Sequence, residues 1–356
     1  MPHRLSLLRR VGQLRRTYTG EYDATLWRTV ATGLSALTTV DRATIYDTLE
    51  CGFENRLLGE NPGPPLTDRI RRAVLPDTTD TAQQQLEAAL FFALGQIAPY
   101  SPPESVTPGR SVQSPIVRPG VAEGEAVLHL PAVTAAPIVA TLLPHAAGGN
   151  VRGLAGLRTR LYRRHVRLYL IDGAPSMSVA LANTSFRQWS AILAFAHELI
   201  GHEWPTNFDT PLAEQERAAI AAGRTPGLVS LGSALFRRLR VLGTTVWLTV
   251  NLDGPASIRV DWAGGRTAVQ VAAALVHPLA GLPGERFTAT CGPAGSVTVT
   301  EWGTSSKPTA TVVLRQAPLA APPPFRQVDA TAAWAEFNHV LTLPHPFSPR
   351  LAAVAR

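Results

Sequence analysis

The chain reads as an α+β protein, and three features of its sequence carry that reading. From Tyr22 to Ile97 apolar residues recur at helical three and four spacings. A Pro-, Ser- and Gly-rich stretch follows from Ala98 to Gly124. Beyond it, short β-branched runs bounded by turn signals alternate with apolar helices. The organisation this predicts is a basic arm over 1–20, a helical module over 21–97 and a Pro-rich linker or arm over 98–125. An α+β domain over 126–321 and a C-terminal helix and tail over 322–356 complete it.

Within the helical module, the apolar pattern of Ala24 to Leu58 breaks near Gly52. After the turn-rich Asn61-Pro62-Gly63-Pro64-Pro65, a short helix passes through Ile70 and Val74. Asp80 or Thr81 then caps a strong helix containing Leu86, Leu90, Phe91, Leu94 and Ile97. In the second block, Val166 to Leu181 reads as strand, Asp172-Gly173 turn, strand. Val246 to Trp262 reads the same way about Asp253-Gly254, 81 residues later. An apolar helix follows each hairpin, Phe186 to His197 and Thr267 to His277, and arginines precede each. The pattern predicts a duplicated hairpin-helix (ββα) unit; the alternative is coincidence, since Asp-Gly hairpins before helices are common. Strands at Arg286 to Cys291, Ser296 to Trp302 and Thr309 to Leu314 and a helix from Thr331 to Leu341 finish the domain.

Composition narrows the function classes. The chain has 356 residues, 45% of them hydrophobic and 17% charged, which suits a folded chain with a sizeable core. Two cysteines, Cys51 and Cys291, support neither a disulfide framework nor a thiolate metal cluster. No apolar run approaches the length of a membrane span, and the N-terminus lacks the apolar core of a secretory signal. The formal net charge is +7, and one of the 33 basic residues is Lys307 while the rest are arginine. A GC-rich genome explains the Arg-for-Lys bias as well as selection for guanidinium does. It does not explain the net positive charge, which argues for an acidic partner such as nucleic acid.

Arg4, Arg9, Arg10, Arg15 and Arg16 alternate with Leu5, Leu8, Val11 and Leu14 in an acid-free first segment. That pattern suits an organellar presequence, a basic arm lying on nucleic acid, or an ordinary helix with a solvated face. A second cluster comprises Arg158, Arg160, Arg163, Arg164 and Arg167, interleaved with Tyr162, His165 and Tyr169. A third comprises Arg237, Arg238 and Arg240. If Tyr162 lies in a strand, Arg158, Arg160 and Arg164 form one row, with Arg163 and Arg167 on the other side. Spacing of about 6.6 Å within such a row can match a phosphate backbone. A solvated strand face or Arg–carboxylate bridges would use the same residues without a ligand.

Catalytic signals are weak. Ala196-His197-Glu198-Leu199-Ile200-Gly201-His202 approaches the helical zinc-peptidase pattern, but its histidines are five apart rather than four. Five residues turn a helix by about 500°, leaving the two side chains roughly 140° apart. Glu198 and His202 could share a metal, with no third ligand placed by the sequence. His197 and His277 fall at matching places in the proposed repeat, and Asp172 and Asp253 are the acids expected before Gly in hairpin turns. No nucleophile elbow, phosphate-cradling loop or dinucleotide fingerprint is present.

The expectation is therefore a non-enzymatic structural protein of a large assembly, without cofactor. Its sharpest version is a viral shell or nucleoprotein component that contacts other copies of itself, or other subunits, and nucleic acid. The alternatives are a nucleic-acid-binding accessory subunit of a ribonucleoprotein or defence complex, and a metal-dependent hydrolase centred on Glu198 and His202. Virion or cytoplasm is the expected location, with an organellar matrix if the first segment is a presequence.

Overall fold

The computed structural model describes residues 6–21, 23–50, 66–97, 100, 116–119, 125–147, 150–171, 178–201, 210–223, 226–303, 307–319 and 328–343. Arg4, Cys51, the Asp172-Gly173 turn, His202 and most of both Pro-rich segments lie outside them. Four helices come first: α1 (Leu7–Thr19), α2 (Asp23–Ser35), α3 (Thr39–Glu50) and α4 (Asp68–Val74). Then follow α5 (Thr81–Leu94), β1 (Ile116–Pro119), β2 (Glu125–His129), α6 (Ala132–Leu142), β3 (His145–Ala147), β4 (Asn150–Arg152), β5 (Leu157–Leu161), β6 (His165–Leu170), β7 (Ser178–Ala182) and α7 (Phe186–Ile200). After α8 (Glu214–Ala222) come α9 (Pro226–Arg237), β8 (Thr245–Leu252), β9 (Ser257–Gly264), α10 (Ala268–Leu275), β10 (Phe287–Cys291), β11 (Val297–Trp302), β12 (Pro308–Ala317) and α11 (Thr331–Thr342).

The class is α+β. Helix starts follow local chemistry. The Asp80 carboxylate accepts from the Gln83 N–H at 2.8 Å to open α5, and Ser185/Gln188 and Thr267/Gln270 capping boxes open α7 and α10. Gly201, in the left-handed region at φ 73°, closes α7.

The two five-stranded sheets have one topology. The first runs β1-β2-β7-β6-β5 and the second β8-β9-β12-β11-β10. In each the only parallel neighbours are the second and third of those strands, β2 with β7 and β9 with β12. The register agrees as well. Val166 faces Leu181 and Leu168 faces Val179 in the first sheet, as Val297 faces Leu314 and Val299 faces Val312 in the second. All eight are buried.

The helices obey the same correspondence. α5, α6 and α7 hold the places of α9, α10 and α11, and α5 packs on α9 while α7 packs on α11. α5 also touches β8 of the other half, as α9 touches β1. Leu86-Glu87-Ala88-Ala89-Leu90-Phe91 in α5 aligns with Leu231-Gly232-Ser233-Ala234-Leu235-Phe236 in α9. Contacts across the crossing are reciprocal under that alignment. Ser233 Oγ donates to Glu87 at 2.7 Å, and its mirror is Ala88 against Gly232. Arg237 meets Glu87, and its mirror is Phe92 against Gly232. Trp189 and Trp334, each the fourth residue of its helix, are both buried. From α5 onward the elements thus form two halves of like strand order that meet reciprocally at the α5–α9 crossing.

The 81-residue equivalence expected from the Asp-Gly hairpins does not hold. Hairpin β6–β7 occupies the place of β11–β12, whereas β8–β9 corresponds to β1–β2. Two-stranded units ending in a turn look alike locally, and strand order, which sequence spacing does not reveal, separates them. His197 in α7 and His277 after α10 are accordingly not equivalent. Helix α5, grouped by sequence with the N-terminal helices, belongs to the first half. Of the N-terminal helices, α1 and α4 dock on the second half, and α2 packs on both of them. The Tyr18 hydroxyl donates to Ala274 O at 2.7 Å, and Arg71 donates to Pro278 O and Gly281 O, both at 2.6 Å.

Candidate nucleic-acid interface

Four of the arginines expected to meet a polyanion point inward instead. Arg158 is fully buried and chelated by Glu216 of α8, both contacts at 3.0 Å, with Thr210 O and Pro211 O as further acceptors. Burial opposes ionisation of Glu216, but hydrogen bonds from Arg158 and from the Gly156 and Ala213 N–H groups outweigh it and hold the carboxyl below its usual range. Arg237 is buried against Glu87 at 2.6 and 2.8 Å. Arg238 pairs with Asp77 at 2.6 Å and donates to Ala280 O. Arg15 is chelated by Glu21 and donates to Val74 O. These four hold elements together, since a buried guanidinium needs its charge and donors satisfied inside the fold.

The N-terminal cluster is divided. Arg10 is ion-paired with Glu50 and lies 5.1 Å from the Tyr46 ring centroid. Arg9 and Arg16 are exposed, the latter 5.8 Å from the Trp27 ring centroid. Arg240 is half-buried, its aliphatic stem close to Gly20.

The remaining arginines converge on one feature, the tip of the β5–β6 hairpin. The Tyr162 N–H donates to His165 O at 2.9 Å, so Arg163 and Arg164 are the two residues of the turn, and both are exposed. Antiparallel pairing sets Arg160 opposite Arg167 and Arg158 opposite Tyr169. Cross-strand partners share a face, so Arg160 and Arg167 lie together on the outer side of the sheet. The expected row of Arg158, Arg160 and Arg164 is replaced by this arrangement: Arg158 is covered by α8, Arg164 sits in the turn, and Arg167 joins Arg160 instead of opposing it. The inner side of β6 presents Val166, Leu168 and Leu170 to the core.

Aromatic rings interleave with these cations. Tyr162 and His165 stack with centroids 4.5 Å apart and planes 10° from parallel. The Arg167 guanidinium lies 5.5 Å from the Tyr162 centroid, and that of Arg160 lies 6.0 Å from Tyr169. Over Arg160 to Arg167 there are four arginines, one histidine and no acid. The sequence showed these rings between the arginines, but their stacking depends on the two-residue turn that brings 162 and 165 together.

The other sites offer less. Glu198 is exposed on α7 and His202 lies outside the described residues; among the described residues no group of three or more His, Cys, Asp or Glu could hold a metal. His277 is buried, its Nδ1 accepting from the Leu279 N–H at 3.2 Å. Burial, aided by Arg71, pulls its pKa down to about 4. Among the described residues no helix is long and apolar enough to cross a membrane. No family model, curated protein or solved structure matches the chain.

Proposed function

We propose that the chain is a non-enzymatic, nucleic-acid-contacting component of a larger assembly, and that the β5–β6 hairpin is its contact. The observation that supports this reading is internal to the molecule. Hairpin β10–β11 occupies the same place in the second half, closed by the corresponding bond from Gly292 N–H to Ser296 O at 2.8 Å. Its tip is Gly292-Pro293-Ala294-Gly295-Ser296, without charge or aromatic ring. The fold therefore does not require Tyr162-Arg163-Arg164-His165 at such a tip. A ligand with negative charge accounts for them, because guanidinium groups on a protruding turn reach phosphate oxygens without reading sequence.

In this reading the exposed Arg9 and Arg16 add to the positive field, and the Pro-rich segments suit extended contacts with neighbouring subunits. A viral shell or nucleoprotein is the assembly such a chain fits best; an accessory subunit of a ribonucleoprotein is the other. Native mass measured with the 260/280 nm absorbance ratio separates them, since a shell protein forms large closed particles unaided.

The contact itself is tested by neutralising Arg160, Arg163 and Arg164 to Gln in the full chain. Losing three phosphate contacts should lower the slope of log affinity against log salt by roughly 2, at about 0.7 per contact for a single strand. Circular dichroism should stay unchanged. An unaltered affinity and salt slope on heparin and on oligonucleotides would remove the hairpin from the reading.

A further inference from the structure

We infer that the β5–β6 tip takes single-stranded nucleic acid, with an unpaired base stacking on the Tyr162–His165 pair while Arg163 and Arg164 hold flanking phosphates. The inference rests on the proposed nucleic-acid contact and names its substrate class. Phosphate alone would be served by arginines. The tip has in addition two rings stacked at 4.5 Å and nearly parallel, with the Arg167 guanidinium 5.5 Å from one of them. Planar groups gathered in this way form a surface on which a base can continue the stack. Both rings are half-buried, so part of each remains accessible beside the exposed turn arginines.

Duplexes cannot use such a surface, because their bases are already stacked on one another and present only edges. A strand with splayed bases can use ring and guanidinium together. Its preference for sequence would be slight, since every base offers a π face. Tyr169 beneath Arg160, with their centres 6.0 Å apart, stands two strand positions beyond Arg167 on the same face. It extends the track along which the strand would run.

The test measures fluorescence anisotropy of the full chain with a labelled oligothymidylate, a duplex of equal length and a heparin oligosaccharide. The variants are Tyr162→Ala, Tyr162→Phe and the pair Arg163→Gln with Arg164→Gln. The expected result is tighter binding of the single strand than of the duplex. Tyr162→Ala should cost about tenfold on the single strand, the loss of one base–aromatic stack, with heparin binding retained. Tyr162→Phe should keep the affinity, and the arginine pair should weaken all three ligands. If single strand and duplex bind alike and Tyr162→Ala matches the wild type while the arginine variant weakens everything, the stacking inference falls and the phosphate contact stands. If the wild type binds none of the three, both fall.

Discussion

Position for position, the outer face of the first sheet carries Arg158, Arg160, Arg167 and Tyr169 where the second carries Thr288, Thr290, Thr298 and Thr300. On the inner faces the same register pairs Val166 with Val297, Leu168 with Val299 and Leu181 with Leu314. The inner positions stay apolar and β-compatible because both sheets pack against helices, so the fold dictates them. Apart from Arg158, which α8 covers, nothing in the fold dictates the outer positions, and there the halves part. A nucleotide bias favouring arginine codons would act on both halves alike; it does not explain four positions that hold arginine or tyrosine in one half and threonine in the other. One of the four, Arg158, has a structural use, since it anchors α8 across the first sheet through Glu216. Arg160 and Arg167 lie next to the hairpin tip, and Tyr169 follows further along the same face.

The largest test of the two-halves description lies at the α5–α9 crossing. Glu87 accepts from Arg237, Ser233 and Gln83, and its side chain and that of Arg237 are fully buried. Glu87→Ala strands a guanidinium in the core and should cost about 3–5 kcal/mol in urea unfolding. The mirror-related contact, Phe92 against Gly232, is already apolar. Replacing both Glu87 and Arg237 with Met should therefore recover most of the loss, to within about 1–2 kcal/mol of the wild type. A single substitution costing under about 1 kcal/mol would mean that this pair does not hold the halves together.

A second difference between the halves is that α1 and α4 hold the end of α10 and the loop after it, where His277 sits edge-on to Tyr18 at 6.4 Å. The free imidazole value is 6.5 and the folded value about 4, so the folded state holds His277 neutral over that interval. Stability from this site is complete above pH 6.5. It declines as pH falls, because the unfolded chain takes up a proton that the folded one refuses. The full loss by pH 4 is about 3 kcal/mol. Protonation would also abolish the acceptor for the Leu279 N–H. Stability measured against pH should show this slope, and His277→Gln should flatten it; an identical profile in the variant would assign the slope to other groups.

How much of this was legible beforehand depended on range. Helices α5, α7 and α10 could be read because Asp80, Ser185 and Thr267 cap apolar runs a few residues away. Helix α6 hides behind Pro137, and α9 behind Gly227 and Gly232, whose missing side chains admit Thr309 and Ala88. Strand β1 lies within the Pro-rich stretch. The arginine clusters were visible, but their division into buried and exposed members was not. Arg158 finds Glu216 at a separation of 58 residues and Arg237 finds Glu87 at 150, and charge patterning along a chain does not report partners so distant. The spacing of the Asp-Gly hairpins puts the repeat at the wrong offset because a hairpin is a local object and its place in a sheet is not.

The gentlest perturbation is also the sharpest test of the comparison. If the outer face is free to carry either chemistry, moving the first half's residues onto the second should leave the fold nearly untouched. Thr290→Arg, Thr298→Arg and Thr300→Tyr are surface changes on an intact ladder, each expected to shift stability by no more than about 0.5 kcal/mol. Combined with replacement of residues 292–296 by the four residues of 162–165, they would rebuild the basic tip at its mirror position. The closing bond is common to both tips, so the shorter turn meets the same strand ends. Isothermal titration with a short single strand should then give about twice the wild-type stoichiometry at similar affinity. Unchanged stoichiometry in a folded graft would mean that the tip needs support its twin lacks. Helix α8, which covers Arg158 beside the first sheet's outer face, is the nearest source of that support.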